Sequence, residues 1–537
     1  MESGEISKET DVSVEDLPRD AKTGVVVHEE KNTVQAYPST THDGQGRSLR
    51  RLFSFAQLLA FSLTFMESWE VMAINISATF WNGGPRSLVW GAVAVIFGSL
   101  AQAYSMAELG SILPIAGAQY HWTHIMAPDG SRRFITWMQG WVTWFAWVSA
   151  LAGSSSGEAA LLQALIAENM PGYEPQRWHL TLIMWALLIS SGLVNTYTFW
   201  LVPWLELASG IMHVILFVIF MVALLVLSPK STSDFVWTSS SVLSGWDRSS
   251  FVAFNLGMLV PAWGFIGFDG VVHMSEEVRR AKHAVPRSMI LCIAINGTMA
   301  FAIILVLLYC IGNVGDVLDA SYPIIPICLN ATGSVKATNA MVSSLIIVTY
   351  FVVAASVASV SRITWAWARD GALPKRLAII DPRFHVPVNA TWLPIVIVCL
   401  LALFEIGSTT GTAFSAFTAL SSLGLYTSYI VAISCILHAR LTGRLGDASD
   451  SQVRYGAWRM WPGFATPVNI LALLWTVYLT IWLPFPTSLP VTGTNMNYAL
   501  PIYAFVVLLA LGYWFVWGER HWKGLDLRAI GMVEAHE

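Results

Sequence analysis

Charged side chains are scarce in this sequence. They make up 12% of its 537 residues, about half of the ~25% that is usual in soluble proteins. Hydrophobic residues make up 55%, and the mean hydropathy is +0.58. Because so few charges could not cover the surface of a soluble protein of this length, the composition predicts a polytopic α-helical membrane protein.

Other signatures are also missing. The net charge of −4 is too small for a basic nucleic-acid-binding protein. No stretch matches the phosphate-binding pattern G-x-x-x-x-G-K-[ST] of ATP-driven proteins. The five cysteines lack the spacing of metal ligands, and four of them lie in apolar stretches, where we expect them to pack as small apolar residues. The sequence therefore predicts neither a metal site nor a cofactor.

Long apolar runs are present instead. Together with 25 tryptophans, a residue typical of membrane interfaces, they indicate a helical bundle rather than a β-barrel of short alternating strands. A spanning helix needs about 20 apolar residues. Twelve stretches are candidates for such spans: 53–80, 87–112, 134–163, 179–198, 201–227, 251–273, 288–312, 340–365, 391–406, 412–437, 465–483 and 499–517.

Lysine and arginine indicate the orientation of these spans. With a cytosolic amino terminus, 25 of the 30 basic residues fall in cytosolic segments, as the positive-inside rule requires. Residues 1–49 are polar and lack the apolar core of a signal peptide, so we expect a disordered cytosolic tail. Residues 50–437 hold spans 1–10, residues 438–517 a cytosolic loop and spans 11 and 12, and residues 518–537 a cytosolic tail.

Span 1 carries ionisable groups at bilayer depth, where they are costly and usually functional. Glu67, Ser68 and Glu70 lie in its middle, and the two carboxylates are three residues apart. They must face a cavity, pair internally or be protonated. We favour a functional role for Glu70, whereas functional and structural roles fit Glu67 equally well.

Span 6 has the composition of an interrupted helix. Gly264, Gly267 and Gly270 surround Asp269, and Pro261 precedes them. Glycine weakens a helix by about 1 kcal/mol relative to alanine, and unwound backbone within a membrane is tolerated where it lines a cavity or is buried in protein. Small residues for close helix packing are the alternative interpretation.

Two interrupted helices five spans apart indicate inverted repeats, with a substrate site near the bilayer midplane. Helix termini at such breaks attract an anionic group, and an acidic side chain binds a cation. A zwitterion such as an amino acid would satisfy both.

Four segments of the sequence have a recognisable pattern. They are Met66-Glu-Ser-Trp-Glu70 with Asn82-Gly-Gly-Pro85, Ser105 to Trp122, Gly267 to Val278 with Val285-Pro-Arg287, and Ala368-Arg-Asp-Gly-Ala-Leu-Pro374. In these segments the sequence resembles the amino acid–polyamine–organocation transporters, in particular the fungal amino acid/choline/GABA permeases. The resemblance covers roughly residues 50–520 and implies a leucine-transporter-like fold with a 5+5 inverted repeat, broken helices 1 and 6 and two additional carboxy-terminal helices. It also implies secondary transport of a small amine, coupled to protons.

The same resemblance implies roles for individual residues. The cytosolic end of span 2 includes Glu108, and Glu276 and Glu277 are expected to pair with Arg279, Arg280 or the Arg369-Asp370 turn and to close an inner gate. Asp269 is the candidate for proton coupling, and Phe265 or Phe268 is the expected aromatic gate. The implied substrate-binding residues are Glu67, Ser68, Trp69, Glu70, Phe265, Phe268 and Asp269.

One departure from the family pattern concerns the substrate. Many amino-acid carriers have a glycine-rich break in span 1, where this sequence has Glu-Ser-Trp-Glu. The difference favours cationic substrates such as choline-like or polyamine-like amines. His213, deep in span 5, fits a proton relay or a neutral packing group, and we favour packing. The tryptophans at 137, 141 and 144 fit a cation–π cage or core packing, and we again favour packing.

The sequence thus predicts a proton-coupled permease for a small amine, with the lipid bilayer as its other partner, and not an enzyme. The plasma membrane is the expected location, with a vacuolar membrane as the alternative. Export or exchange of a fungal nitrogenous metabolite and a nutrient-sensing receptor are the alternative functions. Asn330-Ala-Thr, in the predicted outer loop 313–338, is a glycosylation sequon whose occupied and unused states fit the sequence equally well.

Overall fold

The structure is a computed structural model that describes residues 49–320, 322–407, 412–447, 451–493 and 495–525. The tails predicted at 1–49 and 518–537 fall largely outside the described residues. Within the described ranges the chain is almost entirely helical. The helices are α1 (Phe55–Met66), α2 (Ser68–Trp81), α3 (Gly84–Ile112), α4 (Gln119–Met126), α5 (Arg132–Asn169), α6 (Arg177–Tyr197), α7 (Val202–Leu227), α8 (Ser233–Trp237), α9 (Ser250–Trp263), α10 (Gly270–His273), α11 (Ala281–Tyr309), α12 (Val314–Asp319), α13 (Ile324–Thr332), α14 (Val335–Arg369), α15 (Val388–Leu401), α16 (Leu403–Gly407), α17 (Thr412–Leu441), α18 (Ala465–Trp482), α19 (Ala499–Tyr513) and α20 (Glu519–His521).

Strands are nearly absent from the described ranges. A short parallel pair joins β1 (Leu445–Gly446) to β2 (Val453–Arg454) in the connection after α17. The π-helical turn Trp514–Gly518 continues α19.

Twelve segments of the described ranges cross the bundle. In the described ranges, nine helices are long and apolar enough to span a membrane. The other three crossings are α5, which has 38 residues, and the two interrupted segments α1–α2 and α9–α10. Large apolar side chains such as Phe97 and Val226 lie exposed on the outside of the bundle, as expected of a surface that faces lipid. The twelve-span architecture predicted from the sequence is therefore confirmed.

Helix packing follows a 5+5 repeat. Several contacts between spans recur when each span is exchanged with the span five positions later. Helix α1 packs on α11 as α9 packs on α3, and α5 packs on α6 as α14 packs on α15. A short helix follows the second span of each half, α4 in the first and α13 in the second. Helices α18 and α19 lie outside the repeat and pack on α17.

One local prediction needs adjustment, and another is confirmed. The segment predicted as an outer loop at 313–338 contains α12, α13 and the start of α14, and Asn330 is exposed on α13. The tryptophan row of α5 is core, as the favoured interpretation had it. Trp137 and Trp147 are buried, and the indole of Trp137 donates to the carbonyl of Ala510 at 3.0 Å.

Candidate functional site

The first crossing is interrupted at a single residue. Glu67 has φ 45° and lies in the left-handed region, which ends α1 and starts α2. Its peptide N–H donates to the carbonyl of Thr64 at 3.0 Å, and its carbonyl accepts from the N–H of Val71 at 2.8 Å. The break is narrower than the 67–70 stretch predicted, because Ser68 and Glu70 already belong to the first turn of α2.

The sixth crossing is interrupted over six residues. Helix α9 ends at Trp263 and α10 begins at Gly270, so the break contains Gly264, Gly267 and Asp269, as the composition of span 6 predicted. Gly267 has φ +89°, and a Cβ atom there would lie 3.1 Å from the ring of Phe65. A Cβ atom on Gly264 would lie 2.8 Å from Met72. The two breaks therefore lie side by side, and glycine allows their close approach.

Glu70 is buried and paired. Its Oε1 lies 2.5 Å from Nδ1 of His213 on α7, and both side chains are fully buried. Nε2 of His213 lies 3.2 Å from Oδ1 of Asn296 on α11, and the hydroxyl of Ser68 donates to the same Oδ1 at 2.7 Å. The indole N–H of Trp69 points to Nδ1 of His213 at 3.2 Å. A continuous polar network thus links α2, α7 and α11.

Glu67 differs from Glu70 in its surroundings. It is only partly buried, and its side chain forms no hydrogen bond or ion pair with any residue in the described ranges. Its electrostatic neighbours are Glu70 and Glu158. Glu158 is buried in α5 and accepts from the hydroxyl of Thr349 on α14. The break in span 1 consequently lies near three carboxyl groups, of which only Glu70 has a basic partner among the described residues.

Asp269 is fully buried in the break of span 6 and accepts two hydrogen bonds. The donors are the amide of Gln119 on α4 and the hydroxyl of Tyr429 on α17. Phe265 and Phe268 are buried beside it, and the ring of Phe268 lies 5.4 Å from that of Tyr429. Asp269 therefore joins three elements and has no hydrogen bond to the acidic residues of span 1.

The segments 276–287, 370–387 and 442–460 lie at one end of the bundle, which we name the basic end. Three buried or partly buried ion pairs close this end. Arg369 pairs with Glu276 at 3.0 Å, which is one of the alternatives that the family resemblance left open, whereas Glu277 pairs with Arg362 on α14 at 2.7 Å, which was not among them. Glu108 pairs with Arg440.

The opposite end of the bundle is open. A cavity of about 590 Å³ lies between α2, α9, α17 and the segment 483–498. Its walls include Asn75, Trp263 and Thr418. Trp263 ends α9, one residue before the break, so the cavity reaches the level of the site while the basic end stays closed.

Several residues of this site were missed from the sequence. Asn296, Gln119 and Tyr429 belong to no polar pattern that is recognisable in the sequence. His213, for which the sequence favours packing over a proton relay, pairs with Glu70. The buried carboxyl groups Glu158 and Glu206 lie within spans, and the criterion that singled out Glu67 and Glu70 would have found them.

Comparisons with known proteins agree with this architecture. The choline transporter of Saccharomyces cerevisiae is 28% identical over 486 residues, which cover 89% of this chain and 83% of that protein. Amino-acid permease 2 of Neurospora crassa is 29% identical over 455 residues, covering 82% and 80%. Amino-acid permease BAT1 of Arabidopsis thaliana is 26% identical over 502 residues, covering 89% and 94%.

The amino acid permease family matches residues 53–508. That range includes the first eleven crossings, the first part of the twelfth, both helix breaks and the polar groups around them. The chain is therefore a multi-pass membrane transporter rather than an enzyme, and it belongs to the amino acid permease family.

Proposed function

We propose that this permease imports a small cationic amine together with protons across the plasma membrane, with both termini in the cytosol. The relatives named above include a choline transporter and amino-acid permeases, so an amine is the group that their printed substrates share. The excess of lysine and arginine at the basic end supports the assignment of that end to the cytosol.

The observation that carries the proposal is the unpaired carboxylate of Glu67 at the break of span 1. An ionised carboxylate in a water-poor site is strongly favoured by an opposite charge within hydrogen-bonding distance. The carboxyl groups of Glu70 and Glu158 lie nearby, and Glu70 is already paired with His213. An ammonium or quaternary ammonium group would compensate that charge.

The other predicted substrate contacts divide into two groups. Phe265 and Phe268 lie in the break of span 6, and we assign them to the wall of the amine site. Ser68 and Trp69 have their polar atoms directed to Asn296 and His213, so we assign them to the support of α2. Asp269 is held by Gln119 and Tyr429, which suits a residue that fixes the break rather than one that binds the solute.

The conformation suits loading from outside. The cavity of about 590 Å³ lies on the side away from the basic end, and the ion pairs of Glu276 and Glu277 seal the cytosolic side. Release of the solute would require these pairs to part. Glu108 has the same role in the proposal, because it joins α3 to Arg440 of α17.

Uptake measurements test the proposal. We would express the protein in yeast lacking its own permeases and measure radiolabelled choline, arginine, GABA and leucine at acidic and neutral external pH. We expect Glu67→Gln to reduce uptake of the cationic solutes by tenfold or more, since loss of one partner of a desolvated charge pair costs about 2–5 kcal/mol.

Glu168→Gln is the matched control, because Glu168 is exposed near the end of α5 and its loss should leave uptake unchanged. Uptake of leucine alone, unaffected by Glu67→Gln, would contradict recognition by this carboxylate. Uptake of a cationic solute that is independent of external pH would agree with the amine site but would contradict proton coupling.

A further inference from the structure

We infer that Glu70 and His213 together form the proton site of this transporter, and that their contact persists only while the proton is bound. The inference deepens the proposed function, since it names the residues that couple transport to protons. It assigns Glu70, which the sequence suggested as the substrate carboxylate, to the proton, and it leaves the solute to Glu67.

Asn296 determines which nitrogen of His213 carries hydrogen. The amide nitrogen of Asn296 donates to the carbonyl of Leu63 at 3.2 Å, so Oδ1 must be the atom that faces Nε2 of His213 at 3.2 Å. Because Oδ1 can only accept, Nε2 must donate. Nδ1 therefore carries no hydrogen in the neutral ring and carries one in the imidazolium.

The contact between Nδ1 and Glu70 then requires a proton of its own. The two atoms lie 2.5 Å apart. A neutral ring would present a lone pair to a carboxylate that has only lone pairs, and this arrangement is repulsive. One proton between the atoms, whether formally on Glu70 or on His213, converts it into a short hydrogen bond, and the proton belongs to the pair rather than to either residue.

Trp69 offers His213 a second partner. Its indole N–H lies 3.2 Å from Nδ1. While the proton shared with Glu70 is bound, that proton and the indole N–H compete for the single lone pair of Nδ1. After the proton leaves, the indole can donate to Nδ1 without competition. The ring therefore stays satisfied in both states, whereas Glu70 loses its partner and becomes an unpaired carboxylate beside Glu67.

Because Glu70 is buried, its carboxylate needs a cation to offset its charge, and a bound proton can serve as that cation. Glu70 and His213 are fully buried, and Oε2 of Glu70 has no hydrogen-bond partner among the described residues. A charged carboxylate in such a place is costly. A proton shared with His213 removes the net charge from Glu70 or pairs it with an imidazolium.

The titratable groups named around the pair are acidic or neutral. Glu67 lies on the same crossing, with Glu158 of α5 beside it. Cys292 of α11 lies next to Asn296, and Glu206 precedes His213 on α7. Arg362 of α14 pairs with Glu277, and Lys230 beyond α7 donates to the carbonyls of Leu224 and Ser228. The other basic residues of the helices packed on α7 lie in the first two turns or the last turn of α11 and α14; they are Lys282, His283, Arg287, Lys336 and Arg369.

The position of the pair explains how a proton would affect transport. Glu70 lies on α2 directly after the break, His213 on α7 and Asn296 on α11. Loss of the proton breaks the contact between Glu70 of α2 and His213 of α7. It also leaves a negative charge on Glu70, next to the proposed amine site. Proton release and solute movement are thereby linked through one side chain.

The test separates coupling from transport itself. We would reconstitute wild type, His213→Gln and Glu70→Gln in liposomes with radiolabelled choline, arginine and GABA measured side by side. Each protein is assayed for exchange without a gradient and for accumulation driven by an inward pH gradient. For one proton per solute, a gradient of one pH unit sustains up to about tenfold accumulation.

We expect both variants to retain exchange and to lose gradient-driven accumulation, so that the solute only equilibrates. Glu206→Gln is the matched control, because it removes another buried carboxyl group of α7 and should leave accumulation intact. Accumulation by His213→Gln equal to wild type would overturn the inference. Equal loss in Glu206→Gln would also overturn it, since the effect would not be specific to the pair.

A further variant, Trp69→Phe, tests the inference even if His213→Gln and Glu70→Gln both prevent folding. Trp69→Phe removes the alternative donor and should make the proton harder to release, which shifts the acid-dependent phase of transport upward by roughly half to one pH unit. An unchanged pH profile would contradict the proposed switch. Wild type that exchanges solute but shows no gradient-driven accumulation would refute proton coupling altogether, while the amine site of the proposed function would stand.

Discussion

Residues of the same type have different surroundings at this site. Glu67 is unpaired among the described residues, Glu70 contacts His213, and Asp269 accepts from Gln119 and Tyr429. All three belong to the polar breaks that the sequence identified. Their roles differ because a carboxylate's chemistry depends on which donors surround it.

At the residue scale, we predict that the Tyr429 hydroxyl contributes to stability through Asp269. Tyr429→Phe leaves a buried carboxyl group with one donor fewer, which typically costs about 1–3 kcal/mol. Thermal unfolding of the purified protein would measure this loss as a lower midpoint. Tyr426→Phe is the control, because Tyr426, also buried on α17, donates to the neutral carbonyl of Ala262 at 3.2 Å, and we expect a smaller effect. Equal losses in the two variants would contradict a special role for Asp269.

At the scale of the helices, the two breaks have different chemical origins. Span 1 turns at one left-handed glutamate, Glu67, a conformation that costs a non-glycine residue about 1–3 kcal/mol. Span 6 turns over a glycine-containing stretch in which Gly267 has φ +89°. The strain at Glu67 is maintained by the surrounding packing, whereas the break at Gly267 follows from the local sequence.

We predict that Gly267→Ala abolishes transport. A Cβ atom would meet Phe65 at 3.1 Å, and the positive φ is unfavourable for alanine. The matched control is Gly110→Ala in α3, where the added Cβ would make an ordinary contact of 3.4 Å with Val285. Uptake measured alongside surface expression distinguishes the two, and normal uptake by Gly267→Ala would show that this backbone conformation is not required.

At the scale of the whole molecule, ion pairs close one end of the bundle while the other end holds the large cavity. The pairs of Glu276 and Glu277 are nearly buried, and removal of one partner from such a pair leaves an uncompensated charge that destabilises the closed state. The exposed pair between Arg459 and Asp447 should contribute little, because solvent screens it.

We predict that Glu276→Gln opens the basic end more often. A cysteine introduced by Ser359→Cys would report this, because Ser359 is buried on α14 and donates to the carbonyl of Gly270 at 3.1 Å. Its labelling by a membrane-impermeant maleimide, applied from the basic end of everted vesicles, should become severalfold faster. Asp447→Asn is the control and should not change the rate. Equal labelling in the Glu276→Gln background and in wild type would exclude this ion pair as a gate.

The sequence by itself determined the membrane class, the twelve crossings and the positions of both breaks. Each of these follows from local chemistry: a run of apolar residues needs no distant partner to prefer a bilayer, and glycine, proline and acidic residues interrupt a helix where they occur. The pairing of Glu276 with Arg369 could also be anticipated from the sequence as one of several alternatives, because the family motifs placed both residues at one end of the protein.

Only the tertiary structure decided which side chains meet. His213 lies 143 residues from Glu70 and Gln119 lies 150 residues from Asp269, and no periodicity connects them. Such contacts arise when helices from different parts of the chain pack against one another. A single sequence shows that a carboxylate is buried, but the donor that faces it depends on the rotation and depth of every neighbouring helix.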